Sequence, residues 1–317
     1  MKKAIKIISI ILAVCLVISG AVFGFLKSEE INFFFSKMHA VQVSISDGTW
    51  KDEMKEPEKP VSDTGFVPGT YGGIEFKTAE DVVSYYVSAY DKTKAETAKY
   101  VDEDGNEQEF YAFLGDEELI PTAILIEGKE NPIITKLGPT IVSSIFNPNV
   151  NGLPPTANRD PQYDVDENNE PLLTSRLKAE DIKKCSVVDN GDGTITLTLI
   201  PKDCNMSHKG LDAQGNMFNA LGPIDQTVEA IEMLSWAEGD TAQNCQVVYA
   251  DGTAVVKINT STQKIVEADY DMKVTASVTH ASISVVKNKS ATLVLDYIQH
   301  FPASDEYLKE SRGLVRK

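Results

Sequence analysis

The side chains able to do chemistry are few and scattered. The chain carries four cysteines, Cys15, Cys185, Cys204 and Cys245, and four histidines, His39, His208, His280 and His300. Zinc needs Cys or His ligands in closely spaced sets, and no such spacing occurs. A Gly-x-Ser-x-Gly elbow, a phosphate-cradling glycine loop and a dinucleotide fingerprint are absent as well. Ser261–Lys264 and Ser284–Lys287 match Ser-x-x-Lys. That chemistry needs the serine to open a helix with the lysine one turn later. Here one match falls in a turn and the other in a strand, where the two side chains point to opposite faces.

Acidic clusters are the remaining candidates for a metal. Asp102, Asp104 and Asn106 begin like a calcium loop, and so do Asp164, Asp166 and Asn168. A helix-flanked calcium loop also needs Gly at position six and Glu at position twelve. Those places hold Glu107 and Phe113 in the first case and Asn169 and Ser175 in the second. Both segments read as solvated acidic loops, with millimolar calcium binding as the alternative, and no other cofactor is expected.

Outside the apolar leader three cysteines remain. Cys185-Ser186-Val187-Val188 leads to Asp192-Gly193-Thr194, and Cys245-Gln246-Val247-Val248 leads to Asp251-Gly252-Thr253. This echo suggests two hairpins of one design. If they are neighbours, Cys185–Cys245 is the expected disulfide, stabilising by about 4 kcal/mol in the loop-entropy model. Three buried reduced thiols are the competing expectation.

Composition bounds the protein's class. Of 317 residues, 42% are hydrophobic and 24% charged, as in an ordinary globular protein. The formal charge of −17 argues against nucleic acid, whose phosphates need a surplus of Lys and Arg. Lys2, Lys3 and Lys6 precede Ile7–Leu26, a run without charge. As a helix it would cover roughly 30 Å, the thickness of a hydrocarbon core. The positive flank places the N-terminus in the cytoplasm and the rest outside. A cleaved signal peptide, with Ser19-Gly20-Ala21 as cleavage site, is the rival reading. Either way the protein is expected to be extracytoplasmic, anchored or secreted. Val14 before Cys15 argues against a lipid attachment site. Phe33, Phe34 and Phe35 suit either a membrane interface or packing on the domain, and residues 51–60 read as a charged spacer.

The expected organisation is an anchor or signal (1–26), a juxtamembrane segment and linker (27–65), an exported α+β domain (66–302) and a tail (303–317). Thr78 to Asp81 resembles a capping box, and Val82, Val83, Tyr86, Val87 and Tyr90 recur at helical spacing, predicting a helix over 79–98. Pro-punctuated apolar runs at 119–126 and 133–146 suggest short helices, and 147–171 a surface loop. Strict alternation over 194–199 predicts a strand, and Asp225–Trp236 a short helix. Strands follow at 245–250, 253–259, 265–279, 281–287 and 291–299. Hairpin chemistry at 250–252, 259–263 and 287–289 makes neighbours antiparallel.

The strand at 265–279 dominates this half. Val266, Ala268, Tyr270, Met272, Val274, Ala276 and Val278 share one face, and charged or hydroxyl residues fill the other. Seven unbroken alternations mean one dry face and one wet face. A strand of roughly 45–50 Å must twist, so a large curved antiparallel meander with helices on its concave side is expected.

The helix from Thr78, the strand Ile265–Thr279 and the strand Ala291–Gln299 together resemble the half-barrel of bacterial lipoprotein-carrier and lipid-binding lipoprotein families. The resemblance is one of arrangement over about two-thirds of the exported part. The chain is also similar in texture to uncharacterised exported proteins of Gram-positive bacteria. The inward face of 265–279, where Ala268 and Ala276 are small enough to leave room, suggests a non-enzymatic binding domain that cradles a lipid or other apolar envelope ligand. A structural or interaction module with a filled core and acidic exterior is the alternative, and an enzyme of unrecognised type a third.

Overall fold

The computed structural model describes residues 64–111, 115–130, 153–154, 165–166, 168–218, 234–283 and 286–317. The leader at 7–26, Phe33–Phe35, the spacer, Asp164, the apolar run 133–146, Ser284 and residues 225–233 lie outside them. Among the described residues no helix is long and apolar enough to cross a membrane.

In chain order the elements are β1 (Gly69–Tyr71), β2 (Ile74–Phe76), α1 (Ala79–Lys94), β3 (Thr97–Val101), β4 (Glu107–Tyr111), β5 (Asp116–Ile126) and β6 (Lys129–Glu130). Then come β7 (Ile182–Asp189), β8 (Thr194–Pro201), β9 (Cys204–Asn205), α2 (Ala213–Met217), β10 (Leu234–Trp236) and α3 (Thr241–Asn244). The chain ends with β11 (Cys245–Asn259), β12 (Lys264–Ile283), β13 (Val286–Phe301), α4 (Asp305–Arg312) and β14 (Val315–Arg316). The protein is mostly antiparallel sheet. Among the described residues one sheet has nine strands in the order β6-β5-β13-β12-β11-β8-β7, with β10 beside β12 and β9 beside β11, and it does not close into a barrel. A hairpin, β1-β2, and a small sheet, β14-β3-β4, complete the fold.

The Thr78–Asp81 capping box forms as the sequence indicates. Thr78 accepts from the Asp81 N–H, and the Asp81 carboxylate accepts from the N–H groups of Lys77 and Thr78 at 2.7 and 2.9 Å. Those two N–H donors, Lys77 foremost, hold the Asp81 carboxyl below its ordinary range. The helix stops at Lys94 rather than near 98, because the β-rich stretch Thr97–Val101 is taken up by pairing with β4 and β14. Val82, Val83, Tyr86, Ala89 and Tyr90 are buried along one face of α1. Each large apolar side chain buried this way contributes about 1.5–3 kcal/mol.

Several expectations are corrected. Leu119–Ile126 is strand, not helix: β5 runs through Pro121 and pairs with β13. Pro121 lies beside a register shift, where a missing backbone donor costs little. Leu234–Trp236 is a strand paired with β12, not the end of a helix. In the stretch read as surface loop, Leu153 is fully buried and Asp166 is 2% exposed. Residues 303–317 are no trailing tail. Leu308 and Leu314 pack with Ala303 against fully buried Tyr100, and β14 joins β3.

The turns are the most instructive difference. Asn259–Gln263 does turn, but 250–252 and 287–289 lie inside single long strands. Asp251 and Asn288, both with positive φ, sit at register shifts, as does His280. Residues that tolerate φ > 0 serve a bulge as well as a tight turn. Thus Asp192-Gly193-Thr194 closes a hairpin, whereas its echo Asp251-Gly252-Thr253 is a bulge within β11.

Candidate functional site

The face of β12 singled out by alternation is the inner face of the large sheet. Ala268, Tyr270, Met272, Val274 and Val278 are all buried, and Ala276 is half-buried. Val266 is corrected: it is 42% exposed, and Ile265 is buried in its place. The register shifts between Lys257 and Ile258, so one extra residue on β12 puts Val266 and Glu267 both on the wet side. Beyond that point Asp269, Asp271 and Lys273 are exposed, giving one dry and one wet face.

Over the middle of the inner face the cover is α1. The hydroxyls of Tyr86 and Tyr270 are 2.9 Å apart, both side chains fully buried, and Phe218 meets Tyr270 edge-on at 6.1 Å between centroids. Burial pushes both phenols above their ordinary range, so neither supplies a phenolate. Thr93 ties the helix end to the strand, donating to the Ala89 carbonyl at 2.7 Å and accepting from the buried Ile265 N–H at 2.8 Å. Lys264 pairs with Glu96 and Lys92 with Gln263 at the same place. Toward the far end closure is looser, with Ala276, Ala291, Ile126, Leu234 and Trp236 only partly buried.

Gln299 is the residue that alternation passed over. The inner positions of β13 are Ala291, Leu293, Leu295, Tyr297, Gln299 and Phe301, and Gln299 alone breaks the aliphatic and aromatic series, in which Tyr297 carries a phenolic hydroxyl. It is 3% exposed, and neither atom of its amide has a hydrogen-bond partner. A buried polar group left so costs about 1–3 kcal/mol. The signal for it was present, a Gln where the period demands an apolar residue.

The other candidates disperse. Asp102 accepts from the N–H groups of Asn106 and Asp104 and from the side chains of Gln108 and Asn106, so it organises the β3–β4 turn. Those bonds, that of the Asn106 N–H first, lower its pKa. Asp166 accepts from the N–H groups of Asn168 and Glu170 at 2.8 Å and pairs with Arg176 at 2.5 Å. Both carboxylates serve backbone turns, and among the described residues no three His, Cys, Asp or Glu side chains gather as a metal would need.

The disulfide is not made. Cys185, Cys204 and Cys245 are reduced and form no disulfide. Cys185 is level with Leu199, which is level with Ala254, nine residues along β11 from Cys245. That offset places the two roughly 30 Å apart, whereas a bridge needs Cα atoms within about 7 Å. Burial pushes the Cys204 thiol up to about 11 and raises Cys185, so neither is an activated nucleophile. His280 sits on its bulge 2.9 Å from Asn288 Oδ1, and His300 on the wet face 2.5 Å from Asp269. Ser261 bonds to Asn259 in the turn, not to Lys264. A cleft of ≈ 360 Å³ lined by Phe66, Pro68, Lys77 and Thr78 opens beside the start of α1, where the helix donors are already capped.

Compared with models of known families, with curated proteins and with solved structures, the chain finds no match.

Proposed function

We propose that this chain is a non-enzymatic, extracytoplasmic binding domain, anchored through residues 7–26 or secreted. Its large sheet would curve as a half-barrel and hold a lipid or other apolar envelope ligand on the inner face. The observation that carries this reading is the uneven closure of that face. From Ala268 to Val274 it is closed to solvent, but at the level of Ala276 and Ala291 small side chains remain partly exposed beside Leu293 and Val278. Small residues on an apolar face leave volume that a hydrocarbon chain can fill. Among the described residues the cysteines and histidines are scattered, and the thiols of Cys185 and Cys204 are raised in pKa, so no nucleophile–base pair favours an enzyme there.

Native mass spectrometry of the gently purified full chain tests the reading. A co-purifying apolar mass that organic extraction removes is the expected result. A clean apo mass, unchanged after incubation with envelope lipids, would count against it and leave the filled-core interaction module. The Tyr86–Tyr270 contact, which closes the middle of the face, is what favours that second reading.

A further inference from the structure

We infer that Gln299 is the polar anchor of the inner-face site, taking a head group that both donates and accepts a hydrogen bond, a carboxylic acid or carboxamide on a long hydrocarbon chain. The inference rests on the ligand-binding reading above and names the chemistry its ligand would need.

The argument begins with the register. Gln299 stands level with Tyr270 on one side and Glu117 on the other. Tyr270 does not serve the amide: its hydroxyl bonds to that of Tyr86 at 2.9 Å, and neither amide atom of Gln299 has a partner. Gln299 is 97% buried by its 3% exposure and has an N–H₂ donor and a carbonyl acceptor both unmatched. The complement of a primary amide is a group with one donor and one acceptor side by side, and carboxylic acids and carboxamides have that shape. Toward Ala291 the inner positions of β13 are Tyr297, Leu295 and Leu293, apolar but for the Tyr297 hydroxyl. From Gln299 to Leu293 the strand rises about 20 Å, comparable with an extended long acyl chain. Polar atoms gathered at one end of a largely apolar track are how a pocket fixes the orientation of an amphiphile. An enclosed water is the competing occupant of the amide.

The test uses the delipidated full chain and three probes, palmitic acid, hexadecanamide and hexadecane, with bound fractions read by native mass spectrometry. The wild type is expected to take the acid and the amide at least about tenfold more tightly than the hydrocarbon, one hydrogen-bonded head group's worth. Gln299→Leu should erase that preference, keep hexadecane binding and unfold at no lower temperature. Failure of the wild type to bind any probe overturns the ligand-binding reading and the anchor with it. Binding by the wild type with an undiminished preference in Gln299→Leu overturns the anchor alone and assigns the amide to water. Should the leucine variant fold poorly, Gln299→Met, of similar length and without hydrogen-bonding groups, gives the same comparison.

Discussion

At the scale of single residues the fold leans on polar atoms placed inside an apolar layer. Tyr86 and Tyr270 are brought together from helix and strand, and each hydroxyl satisfies the other at 2.9 Å in a fully buried setting. Removing one leaves the other unpaired, which costs more than removing both. Tyr86→Phe and Tyr270→Phe are therefore each expected to destabilise by about 1–2 kcal/mol in urea titrations, and the double variant by less than their sum. Strict additivity would mean that the hydroxyls do not interact. Gln299 is the contrasting case, a buried amide without the partner that the tyrosines have. Asp102 and Asp166 show that an Asp-x-Asp-x-Asn spacing can be spent on turns, because the backbone N–H groups just downstream are the nearest donors.

At the scale of elements, α1 is held to the sheet at several levels. Its apolar face packs on the inner face, and Thr93 joins its last turn to the start of β12. Thr93→Val keeps the shape and deletes the hydroxyl, leaving the Ile265 N–H buried and unpaired. A loss of about 1–3 kcal/mol is expected, with faster exchange of the Ile265 amide measured by NMR. Unchanged exchange there would mean that another group serves that N–H. The long strands follow a related economy. Bulges at Asp251, His280 and Asn288 let β11, β12 and β13 continue where turns would have cut them short. A bulge also shifts which residues face inward, and at Val266 it moves a valine to the solvent side.

At the scale of the whole molecule, the last residues of the chain return to its first helix-and-hairpin unit. Ala303, Leu308 and Leu314 bury Tyr100, Arg316 pairs with Asp305 at 2.7 Å, and Lys317 pairs with Glu107. Truncation after Pro302 removes two buried leucines' worth of packing and the β14–β3 pairing. A drop in Tm of more than about 5 °C is expected, together with protease cleavage within 97–111. A truncated chain as stable and as resistant as the full one would show residues 303–317 to be dispensable.

How much of this was legible in the sequence follows from the range of each interaction. The capping box, the α1 stripe and the alternation in β12 are local patterns, and geometry with a period of 3.6 or 2 follows from them directly. So does the antiparallel turn at Asn259–Gln263. The inner-face residues could therefore be named from Ala268 to Val278, and only Val266 was misplaced. What a local pattern cannot contain is the partner. Pro121 lies in a strand because β13 is there to pair with it, and Asp251-Gly252 makes a bulge because β12 runs past it unbroken. Cys185 and Cys245 stay apart because β8 and nine residues of β11 separate them, although their sequence contexts match. Composition and periodicity alone determined that this is an acidic chain with a one-side-dry antiparallel sheet. Which turns became bulges, which thiols stayed apart and where a polar atom was left alone were decided by tertiary structure, since each depends on atoms distant along the chain.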